Sequence, residues 1–262
     1  MQITTVAPDV HIVVGDTYAS NTTVFVRDED VLLVDAMGSS SDAEDLGRWI
    51  EDDLGKRVRF IISTHYFSDH LAALRRFPDA EIVAHALYMH TWTSERFRSR
   101  EEEQHFVRPT ITFDDHMNMR WGAQTLDLFH NPGHTMSTIG VDVAGVDLLH
   151  VGDTIVGNIA YIAYSAPEVI AAAIRRAQQR ARRYVLTSHG TARGSAALAH
   201  AAAYLDRLTE QSARAVEAGT PDAIRSIAID DCMPGGLKGS ELENLYHLRN
   251  LETLHERAVA SS

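Results

Sequence analysis

The sequence predicts an α/β fold with a polar site assembled along one edge of a sheet. Three observations lead there. Short apolar runs rich in β-branched residues recur along the chain. Segments with helical periodicity alternate with them or follow them. Four of the apolar runs end in a histidine or an aspartate. The run over residues 58–62 leads into Ser63-Thr64-His65-Tyr66-Phe67-Ser68-Asp69-His70. The run over 125–129 leads into Asn131-Pro132-Gly133-His134-Thr135. Leu148-Leu149-His150-Val151-Gly152-Asp153-Thr154 and Tyr184-Val185-Leu186-Thr187-Ser188-His189-Gly190 are the other two. Imidazole and carboxylate are ligands that zinc, iron and manganese accept. Each fragment alone also fits a helix cap or a solvated neighbour. Their repetition at strand ends points to one site.

The first strands are expected over residues 10–14, 22–26 and 31–34, with a polar hairpin turn at Asp28-Glu29-Asp30. Residues 39–54 read as an amphipathic helix carrying Leu46, Trp49 and Ile50. Residues 71–77 read as the first two turns of another. Glu81-Ile82-Val83-Ala84-His85 reads as a strand, with His85 structural. Residues 86–110 form a charged helical segment with Tyr88, Trp92, Phe97 and Glu101-Glu102-Glu103, either a lid or a solvated insert. Residues 110–129 return to strand patterns, with a turn at Trp121-Gly122. Pro167 opens a helix over 168–183. Further helices are expected over 195–218 and 221–229, broken by Pro234-Gly235-Gly236. The last, over 242–259, carries Leu245, Leu248, Leu251 and Leu254, a stripe that packs within the chain or across a homodimer.

Composition narrows the function. The 262 residues carry a formal net charge of −12 and no basic cluster, which argues against a nucleic-acid partner. Hydrophobic residues make up 45%, enough for a sizeable core. Cys232 is the one cysteine, so no intrachain disulfide forms, and a reducing, cytoplasmic setting is expected. The residues after Met1 have neither the basic start nor the apolar core of a signal peptide. No apolar run approaches the roughly 20 residues that span a bilayer, so no membrane partner is expected.

Taken in order and spacing, the motifs resemble the metallo-β-lactamase superfamily. That family's first motif is His-x-His-x-Asp-His. A histidine in Pro-Gly-His-Thr, an aspartate in Gly-Asp and a final histidine follow. The resemblance implies a four-layer αββα sandwich of two mixed β-sheets flanked by helices. It implies one domain over 1–262, with a helical insert at about 86–110 and a helical C-terminal extension at about 195–260. It further implies one metal position formed by Asp69, His70, His189 and Asp153, with Asp153 bridging to a second formed by His65 and His134. Phe67 stands where the family has its second histidine, so that second position is weakened, empty or completed by water. Ala72-Ala73 stands where the family has Gly-Gly. Asp35 would orient the ligands from behind, or would simply cap the following helix. Phe67, Tyr161 and Tyr164 are substrate-contact candidates.

The implied chemistry is hydrolysis of an ester, lactone, thioester or amide through a metal-activated water, with Asp69 or Asp153 moving the proton. The implied cofactor is Zn2+, with one firm site and one weakened, or else iron or manganese. The substrate would be a small molecule or a carrier-bound group. Two other readings stay open. His65, His134 and Asp153 form the two-imidazole, one-carboxylate set of non-haem iron oxygenases. A site that has lost a ligand also suits a binding or regulatory role.

Overall fold

The computed structural model describes residues 1–94 and 100–260. Seven strands form the first sheet in sequence order. They are β1 (Gln2–Ala7), β2 (Val10–Val14), β3 (Asn21–Arg27), β4 (Asp30–Val34), β5 (Arg57–Ile62), β6 (Glu81–His85) and β7 (Ile111–Phe113). The first four pair as antiparallel neighbours; from β4 onward the pairing is parallel. The second sheet begins with β8 (His116–Trp121), β9 (Gln124–His130), β10 (Ile139–Val143) and β11 (Leu148–His150). A small hairpin of β12 (Ile155–Val156) and β13 (Ile159–Ala160) follows, then β14 (Tyr184–Leu186) and β15 (Arg193–Gly194) complete the second sheet. There β14 pairs parallel to β11, while β8 through β11 are antiparallel.

Alternation along the strands sorts the side chains into layers. Leu32 and Val34 of β4 face Leu126, Leu128, Ile139 and Val141 of the second sheet and form the central core. Val31 and Leu33 point the other way, onto Leu46 and Ile50. Beyond the second sheet, Leu149 and Val185 pack on Ile170, Ile174, Leu205 and Leu208. The helices on these outer faces are α1 (Ser40–Arg48), α2 (Tyr88–Thr93), α3 (Arg100–His105), α4 (Pro167–Gln178), α5 (Ala196–Glu217), α6 (Ile229–Cys232) and α7 (Glu241–Ala260). The layers thus run helix, sheet, sheet, helix, as the motifs imply.

Four helical expectations need correction. Residues 71–77 do not form an α-helix. Ser68–His70 and Ala72–Leu74 are tight three-residue turns. The Ala72 and Ala73 N–H groups donate to Met37 and Ala36 carbonyls (3.3 and 2.7 Å), which ties this stretch to the turn after β4. The helix over 39–54 is α only to Arg48. A wider turn over Trp49–Asp53 follows, closed by Leu54 N–H on the Trp49 carbonyl. The helix from Pro167 stops at Gln178, and Ala181 takes a left-handed φ of 50° that the helix cannot continue through. Residues 221–229 split into a 3-10 segment over Pro221–Ser226 and the short α6.

Within the 86–110 segment, Tyr88, Trp92 and Phe106 pack around Tyr66 beneath the first motif. Phe97 lies outside the described residues. His85 stacks on His130 at 3.7 Å between ring centres and contacts the Asp114 carbonyl, which fits its structural reading.

The leucine stripe gives only half of the buried face of α7. Leu251 and Leu254 pack in the core, but Leu245 and Leu248 are exposed, while Glu243, Tyr246, Asn250 and Thr253 are buried. These polar residues fasten α7 to the segment after β12. Glu243 accepts from the Asn158 N–H (2.7 Å) and side chain (3.0 Å). Asn250 accepts from the Ile162 N–H (2.9 Å) and donates to the Ala160 carbonyl (2.8 Å). The Thr253 hydroxyl donates to the Ala163 carbonyl (3.2 Å). Asn250→Ala leaves that N–H and carbonyl without partners. We expect it to lower unfolding stability by about 2–4 kcal/mol, read from urea denaturation. A loss no larger than that of a surface substitution would mean α7 does not hold this segment.

Candidate metal centre

The site forms where strands from both sheets end side by side. Asp35 follows β4, His65 follows β5, His134 follows the β9 end, Asp153 follows β11 and His189 follows β14. Backbone bonds join these ends across the sandwich. Ile139 N–H donates to the Thr64 carbonyl (2.8 Å), and Asn21 N–H donates to the Ser188 carbonyl (3.0 Å). Gly152, at φ 56°, makes the turn that delivers Asp153, and a β-carbon there would press on the Thr64 hydroxyl at 3.2 Å.

Behind the site, Asp35 gathers three donors. Its Oδ1 accepts from Thr64 N–H (2.8 Å), and its Oδ2 accepts from the Thr64 and Ser188 hydroxyls (both 2.9 Å). The Thr64 hydroxyl also lies 2.9 Å from His65 Nδ1. Having given its one proton to Asp35, it accepts from Nδ1–H, and the His65 Nε2 lone pair is left facing the site. His189 is set the same way, because its Nδ1 donates to the Tyr18 carbonyl (2.9 Å). Asp35 therefore sits behind the site, joined to its neighbours.

In front, two groups of donors share Asp153. Asp69, His70, Asp153 and His189 form one; His65, His134 and Asp153 form the other. Within each, the donor atoms lie within 4.8 Å of one another. Asp153 Oδ2 is 3.3 Å from His189 Nε2, 3.5 Å from His70 Nε2 and 3.9 Å from His65 Nε2. All are buried except Asp69, which is partly so. The His65 Nε2, both His70 nitrogens, His134 Nδ1 and Asp153 Oδ1 are buried without a hydrogen-bond partner. Buried polar atoms are rarely left so. Orphaned nitrogen and oxygen donors converging at this spacing fit a divalent cation.

Electrostatics divides the imidazoles. Burial holds His65 well below its ordinary value and brings His134 down to about 4, so both are neutral donors. Burial also acts against charge on His70, but Asp69 and Asp153 overcome it and raise that imidazole to about 10. Burial alone would raise Asp153. The His189 and His70 rings reverse this and hold the carboxyl well below the usual range.

Aromatic rings wall the site. Phe67 lies 5.1 Å from the His134 ring and 5.7 Å from the His65 ring, and it stacks on Tyr164 at 4.8 Å. Tyr161 stacks on His134 at 4.9 Å. The three substrate-contact candidates therefore all line the pocket, with Asp69, His134 and Asp153. Two further lining residues, Tyr246 and Arg249, come from α7 and were not expected from the sequence. Nothing in their spacing marks them, because the leucines around them dominate the pattern. A separate cavity of about 630 Å3 among α4, α5 and α7 is lined by none of these donors.

A metallo-β-lactamase superfamily model matches residues 15–189, and the chain belongs to that superfamily. No curated protein gave a significant match. Among solved structures, the chain is similar to a metallo-β-lactamase from Pontibacter korlensis at 21% identity and TM-score 0.65, covering 78% of this chain and 98% of that one. A metallo-β-lactamase from Erythrobacter litoralis gives 19% identity and TM-score 0.61, over 78% and 95%. A stereoselective inverting sec-alkylsulfatase from Pseudomonas sp. gives 14% identity and TM-score 0.70. That match covers 97% of this chain but 50% of the alkylsulfatase. At these identities the likeness is one of fold.

Two outcomes follow from this geometry. Asp35→Asn replaces an acceptor by a donor facing Thr64 and Ser188. It should weaken metal binding by roughly 10–100-fold in chelator competition; unchanged affinity would make Asp35 a backbone cap only. A cation must also displace the proton that His70 retains up to about 10 in the metal-free protein. Apparent affinity should therefore rise with pH above neutrality, by up to about tenfold per unit, and level off beyond that value. A flat profile would place His70 outside the centre.

Proposed function

We propose that the chain is a metal-dependent hydrolase acting on an ester, lactone, thioester or amide bond of a small-molecule or carrier-bound substrate. The observation that carries this is the set of orphaned, buried donor atoms on His65, His70, His134 and Asp153 converging at one sheet edge. Asp69, His70, His189 and Asp153 would hold the first ion, with Zn2+ the expected metal. His65 and His134 would share Asp153 around a weaker second position, because Phe67 offers no lone pair. A bound divalent cation supplies an acidified water and polarises a scissile carbonyl.

The protein's own groups do the rest. Asp69 is the less buried carboxylate and lines the pocket, where it can carry a proton to the leaving group. Phe67, Tyr161 and Tyr164 exclude water and orient the substrate. No helix among the described residues is long and apolar enough to cross a membrane. The single cysteine suits a reducing, cytoplasmic setting.

One observation favours a second reading. His65, His134 and Asp153 are grouped by themselves, two imidazoles and a carboxylate, against the apolar Phe67 ring. Such a set suits non-haem iron and oxygen chemistry.

Elemental analysis of protein purified without oxygen tests both. About one zinc per chain, with turnover of chromogenic esters or thioesters, is the expected result. Iron with oxygen-dependent activity would replace hydrolysis by the second reading, and no metal after reconstitution would remove both. Phe67→His should raise occupancy from about one toward two ions. Unchanged occupancy would move Phe67 away from the metal donors.

A further inference from the structure

Tyr246 has no role in any motif, yet its hydroxyl reaches the centre of the site. The residue is 1% exposed, and its oxygen lies 2.7 Å from His189 Nε2. That nitrogen is the metal-facing one, since Nδ1 is engaged with the Tyr18 carbonyl. The same Nε2 is 3.3 Å from Asp153 Oδ2 and 3.6 Å from Asp69 Oδ2. Donors bound to one ion at roughly 2.0–2.2 Å stand roughly 3–3.6 Å apart at tetrahedral or octahedral angles. The two carboxylates satisfy this spacing from His189, and the Tyr246 oxygen, at 2.7 Å, falls a little short of it, a gap that a small shift of the phenol closes.

The phenol is also held in place. Glu243, Asn250 and Thr253 fasten α7 on either side of it. The Tyr161 ring packs edge-on against it at 4.8 Å, and the Arg249 guanidinium lies 5.1 Å from its ring centre. A hydroxyl serving only to bond His189 in the metal-free protein would obstruct the lone pair that an ion needs.

We propose that Tyr246 is a protein ligand of the metal centre, adding a phenolic oxygen to Asp69, His70, Asp153 and His189. On binding, the phenol O–H bond breaks, its proton passes to solvent water, and the oxygen bonds the ion. A nearby cation favours this loss of a proton, as it does for bound water. The inference rests on the reading that these residues hold a metal.

The test is metal binding by the whole chain, comparing wild type with Tyr246→Phe and with His189→Ala. Tyr246→Phe keeps the buried ring and removes only the oxygen. Ferric-loaded wild type should show a visible phenolate-to-iron charge-transfer band, and Tyr246→Phe should lack it. Zinc affinity should fall about tenfold or more in Tyr246→Phe.

Stoichiometric ferric binding without the band would overturn the inference. So would zinc binding in Tyr246→Phe that is equal or tighter, the sign expected of a mere competitor for His189. If His189→Ala abolishes zinc binding while Tyr246→Phe does not weaken it, Tyr246 is dismissed and the metal centre stands. If wild type binds neither ion, both fall together.

Discussion

A carboxylate 3% exposed, Asp153, governs this sheet edge. No lysine or arginine lies within ion-pair distance of it among the described residues; its nitrogen neighbours at that distance are imidazoles. A buried anion is costly unless it is compensated. The compensation comes from His189 and His70, which hold its proton off, and a cation bound by the orphaned donors would add to it. His65 and His134 need the opposite condition, neutrality, and burial provides it. The strand ends, the Gly152 turn and the hydrogen bonds on Asp35 keep these groups from relaxing apart.

Much of this edge was legible in the chain. A run of apolar, β-branched residues reports a buried strand, and residue type reports what its end can do. So β5, β9, β11 and β14 were found within a residue or two, with His65, His134, Asp153 and His189 attached to their ends. What failed was set by partners distant in sequence. Residues 71–77 have helical composition, but bonds from Ala72 and Ala73 to the Met37 and Ala36 carbonyls tie them to the turn after β4. Leu251 and Leu254 of the α7 stripe pack in the core, but Glu243, Asn250 and Thr253 are buried through hydrogen bonds rather than hydropathy. Asn250 is buried by its bond to Ile162, 88 residues earlier, and no local periodicity reports that. Tyr246 and Arg249 were missed for the same reason.

The homologous part of the chain and the pocket do not end together. Residues 15–189 match the superfamily and bring every histidine and aspartate of the centre. One wall of the pocket comes from beyond them, in α7. The alkylsulfatase likeness spans nearly the whole chain, so an α7-like addition suits this fold.

The division separates two kinds of evolutionary freedom. The donor-bearing turns are locked to both sheets, and a change there disturbs several strands at once. The helix meets the pocket through a few side chains on one face, anchored by Glu243, Asn250 and Thr253. Substitutions at neighbouring positions of that face other than Tyr246 can alter which molecules are admitted while the histidines and aspartates of the reactive end are inherited intact. Relatives that keep the three anchors and vary around them would form a lineage with one chemistry and many diets.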